Sequence, residues 1–162
     1  MAGDLSLVYD FIRESDDQPT QQGKFTRVQC LEFFAKFPDP ELWEIINAGD
    51  WISVEPGLPT IREGEENPSF YVLVDGEVSV FKGDRKIVEL GQGDCFGEMG
   101  IALGRYRSAT ILATTVVTVL KLRSLIIERA SINRQLRFQR KFLCTLIERL
   151  EYATDNMSGP SG

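Results

Sequence analysis

Between Trp51 and Lys121 the apolar residues recur with a period of two, in runs separated by turn signals. The runs are Trp51–Glu55, Pro59–Arg62, Phe70–Val74, Glu77–Phe81, Arg85–Leu90, Ala109–Ala113 and Val116–Lys121. Glu55-Pro56-Gly57, Gly64 and Asn67-Pro68 punctuate them. Asp75-Gly76 has the composition of a two-residue hairpin turn that accepts positive φ, and Gly83-Asp84 is a looser candidate for a second. Many short strands at this spacing fold into a jelly-roll or barrel.

The flanks read as helical. Asp4 to Glu14 places Leu5, Val8 and Ile12 on one face, which suits a short amphipathic helix that docks on a partner or on its own domain. Asp16 to Gly23, polar and holding Pro19, reads as a linker. From Thr26, Val28, Leu31, Phe34 and Phe37 recur at three-residue spacing, until Pro38-Asp39-Pro40 stops that helix. A second helix, Glu41 to Ala48, starts at Asp39 or Pro40 and ends at Gly49. After Leu122 the pattern is helical again. Leu136, Leu143 and Leu150 stand seven apart, flanked by Ile132, Leu146 and Ile147. Arg129, Arg134, Arg137, Arg140, Lys141 and Arg149 make this segment basic. It can meet an acidic partner or membrane surface, form a homodimer seam, or pack on the roll by one face with the other solvated. Fraying is expected from Asp155, and Ser158-Gly159-Pro160-Ser161-Gly162 looks like a vector-derived tail. The chain therefore divides into an N-terminal helix and linker, 1–26, a main domain, 27–153, and a tail, 154–162.

Composition removes several function classes. The 162 residues are one domain's worth of chain and need no disulfide or metal to fold. A net charge of −6 makes nucleic acid a poor partner, because affinity for DNA rests on neutralising phosphates. Cys30, Cys95 and Cys144 are far apart, without metal-ligand spacing, which points to a reducing, cytoplasmic setting. Cys95 is a redox handle or, as free cysteines usually are, a small buried residue. No histidine is present, so the commonest general base and the commonest metal ligand are both missing. We expect no enzyme, no metal and no cofactor. No apolar run approaches the ~20 residues that span a membrane, and no signal peptide opens the sequence.

The stretch that carries chemistry is Gly91 to Thr110. Gly93 and Gly97 let backbone approach a ligand closely. Glu98 to Leu103 is long enough for one or two helical turns, whose N-terminus suits an anion, and Gly104 breaks it. Arg107 brings a planar fork that can grip two phosphate oxygens, and Ser108 adds a hydroxyl. Glu98, an anion beside an anion site, makes sense facing a sugar hydroxyl. Phosphate and sugar together suggest a nucleotide.

Phe96-Gly97-Glu98-Met99-Gly100-Ile101, followed after a short loop by Arg107-Ser108-Ala109-Thr110, resembles the phosphate-binding cassette of the cyclic-nucleotide-binding domain family. That family includes catabolite activator protein and the regulatory subunits of cyclic-AMP-dependent kinase. Ile61-Arg62-Glu63-Gly64-Glu65 and Phe70 to Val78 resemble a second family element, and the likeness extends from about Val28 to Ala153. Asn67-Pro68 stands where members often carry Gly-Asp, a departure that a loop tolerates.

The resemblance implies an α+β, mainly β fold: an eight-stranded, jelly-roll-like β-roll between N-terminal helices and a C-terminal helical segment. It implies that Arg107 pairs with the exocyclic oxygens of a cyclic phosphate and that Glu98 accepts the ribose 2′-hydroxyl. Gly97, Met99 and Ala109 would offer backbone groups and Ser108 its hydroxyl. Val80, Ile87 and Val88 would line the base and ribose pocket, with Arg149 and Tyr152 reaching the base from the last helix. Arg105, two residues from Arg107, should be exposed and indifferent to substitution. The implied ligand is cyclic AMP in preference to cyclic GMP, and the implied role is a sensor reporting through its C-terminal helix to an effector protein or domain. Three other classes stay open: a ligand-free scaffold or dimerisation module of the same fold, a transcription factor, and a β-roll metalloenzyme.

Overall fold

The computed structural model describes residues 19–97 and 106–157. The helix expected at Asp4 to Glu14 lies outside them. The chain forms two compact units, which divide at Ile126/Ile127.

The first unit opens with α1, Gln21–Gln29, whose first turn is capped by the Thr20 side chain accepting from the Gly23 N–H at 3.1 Å. A 3₁₀ turn, Glu32–Phe34, and then α2, Asp39–Ala48, follow. Two expectations are corrected here. Gln21 to Gly23 are helical and do not belong to a linker, because the Thr20 cap satisfies an N–H that an uncapped end would leave bare. The helix expected to run from Thr26 to Phe37 breaks after Gln29, since Leu31 adopts extended φ/ψ. The three-residue spacing was real, but it served two short elements whose aromatics cluster. Phe25 stacks on Trp43 with ring centroids 4.4 Å apart, and Phe33 lies 6.2 Å from Phe70 of the roll.

Eight strands form two four-stranded antiparallel sheets. They are β1, Asp50–Val54; β2, Pro59–Ile61; β3, Ser69–Asp75; β4, Val78–Lys82; β5, Arg85–Leu90; β6, Cys95–Phe96; β7, Thr110–Ala113; and β8, Val117–Arg123. One sheet runs β1-β8-β3-β6 and the other β2-β7-β4-β5. The core lies within the roll and includes Val54, Ile61, Leu73, Val78, Phe96, Ile111, Val117 and Val119. In β3 six of seven residues are buried, because Tyr71 and Leu73 face this core while Phe70 meets the helical aromatics. This is the α+β, mainly β roll that the sequence implied.

The turns are a correction. Asp75-Gly76 is not a hairpin, because β3 and β4 belong to different sheets. It is a corner, and Gly76 holds it at φ 91°, where a Cβ would stand 2.5 Å from the Val116 carbonyl. The hairpin is the looser candidate: Lys82 pairs with Arg85 around Gly83-Asp84. β6 escaped sequence reading because two residues are too few to show a period. It pairs Tyr71 with Phe96 and Val72 with Cys95, and the Tyr71 and Phe96 rings stack 5.1 Å apart. Cys95 is buried there, as the plain reading held.

The second unit holds the last two residues of α3, Ser124–Glu128, and all of α4, Ile132–Met157. α4 continues past Asp155, where fraying was expected. Phe138 is its buried residue, while Leu136, Leu143 and Leu150 are exposed. The leucine stripe is therefore not the packed face. No helix among the described residues is long and apolar enough to cross a membrane.

Candidate functional site

The site is built where β6 ends and β7 begins. Gly97 follows β6 directly and sits at φ 88°, a conformation that L side chains rarely adopt. Opposite it, Arg107 enters the strand pair from the other end of the cassette. The Arg107 N–H donates to the Glu65 carbonyl at 2.9 Å, and the Gly64 N–H donates to the Arg107 carbonyl at 2.8 Å. These two bonds strap the arginine backbone to the loop between β2 and β3, and so fix where its side chain starts.

The Arg107 side chain is buried, 4% exposed, although it carries a full charge. Its Nη1 donates to the Gly97 carbonyl at 2.6 Å and its Nη2 to the Ser69 carbonyl. A Cβ at Gly97 would stand 3.0 Å from Nη1 and 3.1 Å from the Ser69 carbonyl. Glycine is thus required twice, by its φ and by the guanidinium packed against it. Burying a cation is costly unless polar atoms compensate it, and two main-chain carbonyls supply that compensation.

A second group braces the cassette exit. Lys82, at the end of β4, donates to the Ser108 carbonyl at 2.7 Å and pairs with Glu63 at 2.9 Å. The Glu63 carboxylate also accepts from the Gly83 N–H at 3.0 Å, and the Glu63 N–H donates to Thr110 Oγ1 at 2.9 Å. Glu63 is held below the usual carboxylate range, first by the Lys82 hydrogen bond and then by the Gly83 N–H, with desolvation opposing. Sequence reasoning missed Lys82, Glu63 and Ser69. The β4–β7 register, which sets Phe81 against Thr110, brings Lys82 to the exit, and no local motif announces it.

Among the residues expected to line a base pocket, Val80 and Val88 are cross-strand partners, half-buried and packed on the core. Ile87 is exposed. Side chains alternate along β5, so Ile87 turns to the face opposite the half-buried Val88 and the buried Leu90. Ala109 is half-buried and Ser108 exposed. Arg149 and Tyr152 lie on α4, in the second unit, with Tyr152 exposed. Glu98, Met99 and Arg105 lie outside the described residues. Asn67-Pro68 occupies a loop as expected, with Asn67 Nδ2 donating to the Tyr71 hydroxyl at 3.0 Å. A surface cleft of about 310 Å³ is lined by Cys30, Leu31, Glu32, Gln92, Gly93 and Asp94 and contains none of these residues. No metal-holding group of His, Cys, Asp or Glu occurs among the described residues.

Comparison with known proteins adds the following. Residues 51–130 match the family model described as cyclic nucleotide-binding domain. A cyclic nucleotide-gated potassium channel of Mesorhizobium japonicum is 37% identical over 111 residues, which cover 66% of this chain and 31% of the channel. A cAMP-dependent protein kinase regulatory subunit of Hypocrea atroviridis is 39% identical over 64 residues, covering 40% of this chain and 14% of the subunit. Among solved structures, a cyclic nucleotide-binding domain from Methylobacillus flagellatus superposes with a TM-score of 0.73 at 19% identity, covering 88% of this chain and 85% of that one. The chain spans less than a third of the length of the channel and of the kinase subunit it matches.

Proposed function

Since residues 51–130 place this chain in the cyclic nucleotide-binding domain family, we propose that it is a cyclic nucleotide sensor, with cyclic AMP preferred to cyclic GMP. The observation that carries the reading is the Arg107 guanidinium, buried and cradled by the Gly97 and Ser69 carbonyls. A guanidinium has five donors in a rigid fork, so two carbonyl bonds are compatible with a grip on phosphate oxygens. Arg107 pairs with the exocyclic oxygens, and Glu98 takes the ribose 2′-hydroxyl. The Gly97, Met99 and Ala109 main chain and the Ser108 hydroxyl complete the phosphate end. Val80 and Val88 support the base and ribose. Arg149 and Tyr152 close on the base from α4.

The protein is a sensor and not a catalyst. Ligand charge draws the cassette inward, and the segment after Leu122 carries the change to α4. A ligand shifts such an equilibrium only as far as its affinities for the two states differ. The output goes to a partner chain, a further domain or another subunit in the cytoplasm.

Calorimetry with cyclic AMP and cyclic GMP tests this on the wild type, Arg107→Ala and Arg107→Lys. Wild type should bind, cyclic AMP more tightly. Removing one partner of a buried charge pair costs about 2–5 kcal/mol, or about thirtyfold to several thousandfold in affinity. Arg107→Lys, which keeps the charge and loses the fork, should fold and still bind weakly. Undiminished binding by both variants overturns the phosphate grip, and no binding by the wild type overturns the sensor.

A further inference from the structure

The cassette has two jaws that come from separate parts of the chain. One is β6 with Gly97, and the other is Arg107, which leads into β7. The bond from Arg107 Nη1 to the Gly97 carbonyl joins them at the site itself. A second connection runs through the side chain of Asn67, in the loop between β2 and β3. Asn67 Nδ2 donates to the Tyr71 hydroxyl at 3.0 Å and to Glu65 Oε1 at 3.5 Å. Tyr71 is buried on β3, pairs with Phe96 of β6 and stacks on its ring, one residue before Gly97. Glu65 holds the Arg107 N–H through its carbonyl at 2.9 Å. Asn67 therefore closes a circuit that runs through Tyr71, Phe96, Gly97, Arg107 and Glu65.

Chemistry fixes which way the Asn67 amide points. Its oxygen turned toward Glu65 would face a carboxylate, whereas its NH₂ offers two donors to two acceptors. The Tyr71 bond is the shorter one; the Glu65 bond is long, but its acceptor carries charge. Pro68 follows directly and disfavours the helical region for Asn67, which narrows the freedom of the loop backbone. The glycine that family members often carry at this place has no side chain with which to make the connection.

We infer that Asn67 is a positioning residue for the phosphate grip, holding the Gly97 jaw and the Arg107 jaw at a fixed separation in the empty site. It acts through Tyr71 and Glu65 and touches no ligand. Its effect on affinity rests on the cyclic nucleotide reading proposed above; its effect on the empty site does not. A site ordered in advance binds more tightly, because less ordering is left to accompany binding. Without the Asn67 side chain the guanidinium keeps its two carbonyls, but the strand pair behind Gly97 and the loop behind Arg107 move separately.

The test compares Asn67→Ala, Asn67→Asp and Tyr71→Phe in the whole chain. Calorimetry with cyclic AMP should show about a five- to tenfold loss of affinity for Asn67→Ala, the scale of one or two hydrogen bonds. Asn67→Asp keeps the shape but sets a carboxylate against Glu65, and should lose more than Asn67→Ala. Adding Glu65→Gln to Asn67→Asp returns a donor to that contact and should recover most of the loss. Asn67→Ala should cost less in the Tyr71→Phe background than in the wild type, because the two changes remove one shared bond. Amide hydrogen exchange without nucleotide reads the same connection independently of ligand. Asn67→Ala should speed exchange at the Arg107 and Gly64 N–H groups and leave Val119 and Leu120, buried in β8, at the wild-type rate. Equal speeding at all four amides marks a general loss of stability and overturns the inference, as does an Asn67→Ala variant with wild-type affinity and wild-type exchange. If the wild type binds no nucleotide, the ligand reading fails and the exchange measurement decides the role of Asn67 by itself.

Discussion

The two ends of the candidate site are built differently. At the phosphate end, Arg107 is fixed by both of its main-chain polar groups and by its guanidinium, and Gly97 closes behind it at a φ that admits little else. At the proposed base end, Val80 and Val88 are half-buried on the core and Ile87 is exposed. One end is set in advance by main-chain hydrogen bonds. The other is an apolar pair packed on the core by side chains alone. Under the proposed function, such a division would assign affinity to the charge grip and leave the choice of base to weaker, more adaptable contacts.

The contrast can be broken from its strong end first. Arg107→Ala carries the largest expected loss, the thirtyfold or more already argued from the roughly 2–5 kcal/mol of a severed buried charge contact. Gly97→Ala comes next. It forces a side chain to positive φ, at a cost of about 1–3 kcal/mol, and pushes a methyl toward Nη1. We expect about a tenfold affinity loss by calorimetry with a lowered melting temperature. Wild-type affinity in the Gly97→Ala variant would mean that the Gly97–Arg107 contact does not shape the grip. Val88→Ala should matter less. Half-burial of two methyl groups amounts to about 1 kcal/mol, so a few-fold change in affinity is expected, and its ratio between cyclic AMP and cyclic GMP is the informative reading. A Val88→Ala loss equal to that of Arg107→Ala would erase the distinction between the two ends.

The smallest effect belongs to the Lys82–Glu63 brace at the surface. Glu63 has a lowered folded-state pKa, so its contribution to stability is present above the unfolded carboxylate value, about 4.3, and is lost as pH falls through the folded value. Thermal melts of wild type and Lys82→Ala should therefore differ slightly at neutral pH and converge in acid. A gap that stays constant into acid would show that Lys82 acts through Ser108 and not through Glu63.

How much of this was legible in advance follows from range along the chain. Pro38-Asp39-Pro40 is a local signal and α2 starts within it, whereas the Thr20 cap was read as part of a linker. The period-two runs located seven strands because alternation is written within each run. The cassette spacing from Gly97 to Arg107 named the two residues that the fold brings within 2.6 Å. Asp75-Gly76 and Gly83-Asp84 were ranked the wrong way round, because both sequences permit positive φ and only the strand partners distinguish a corner from a hairpin. Ile87 and Val88 were both given to the pocket, although neighbours in a strand alternate faces, and only Val88 packs on the core.

By itself the sequence determined what hydropathy and stereochemistry can encode locally: a roll of short strands, helices at both flanks, and a glycine and an arginine at cassette spacing. Tertiary structure alone decided which strands share a sheet, that Ser69 and Lys82 reach the cassette, and that the buried side of α4 is Phe138 and not the leucine row. The reason is that those outcomes depend on groups dozens of residues apart competing for one partner, and a chain read in order does not show which of them wins.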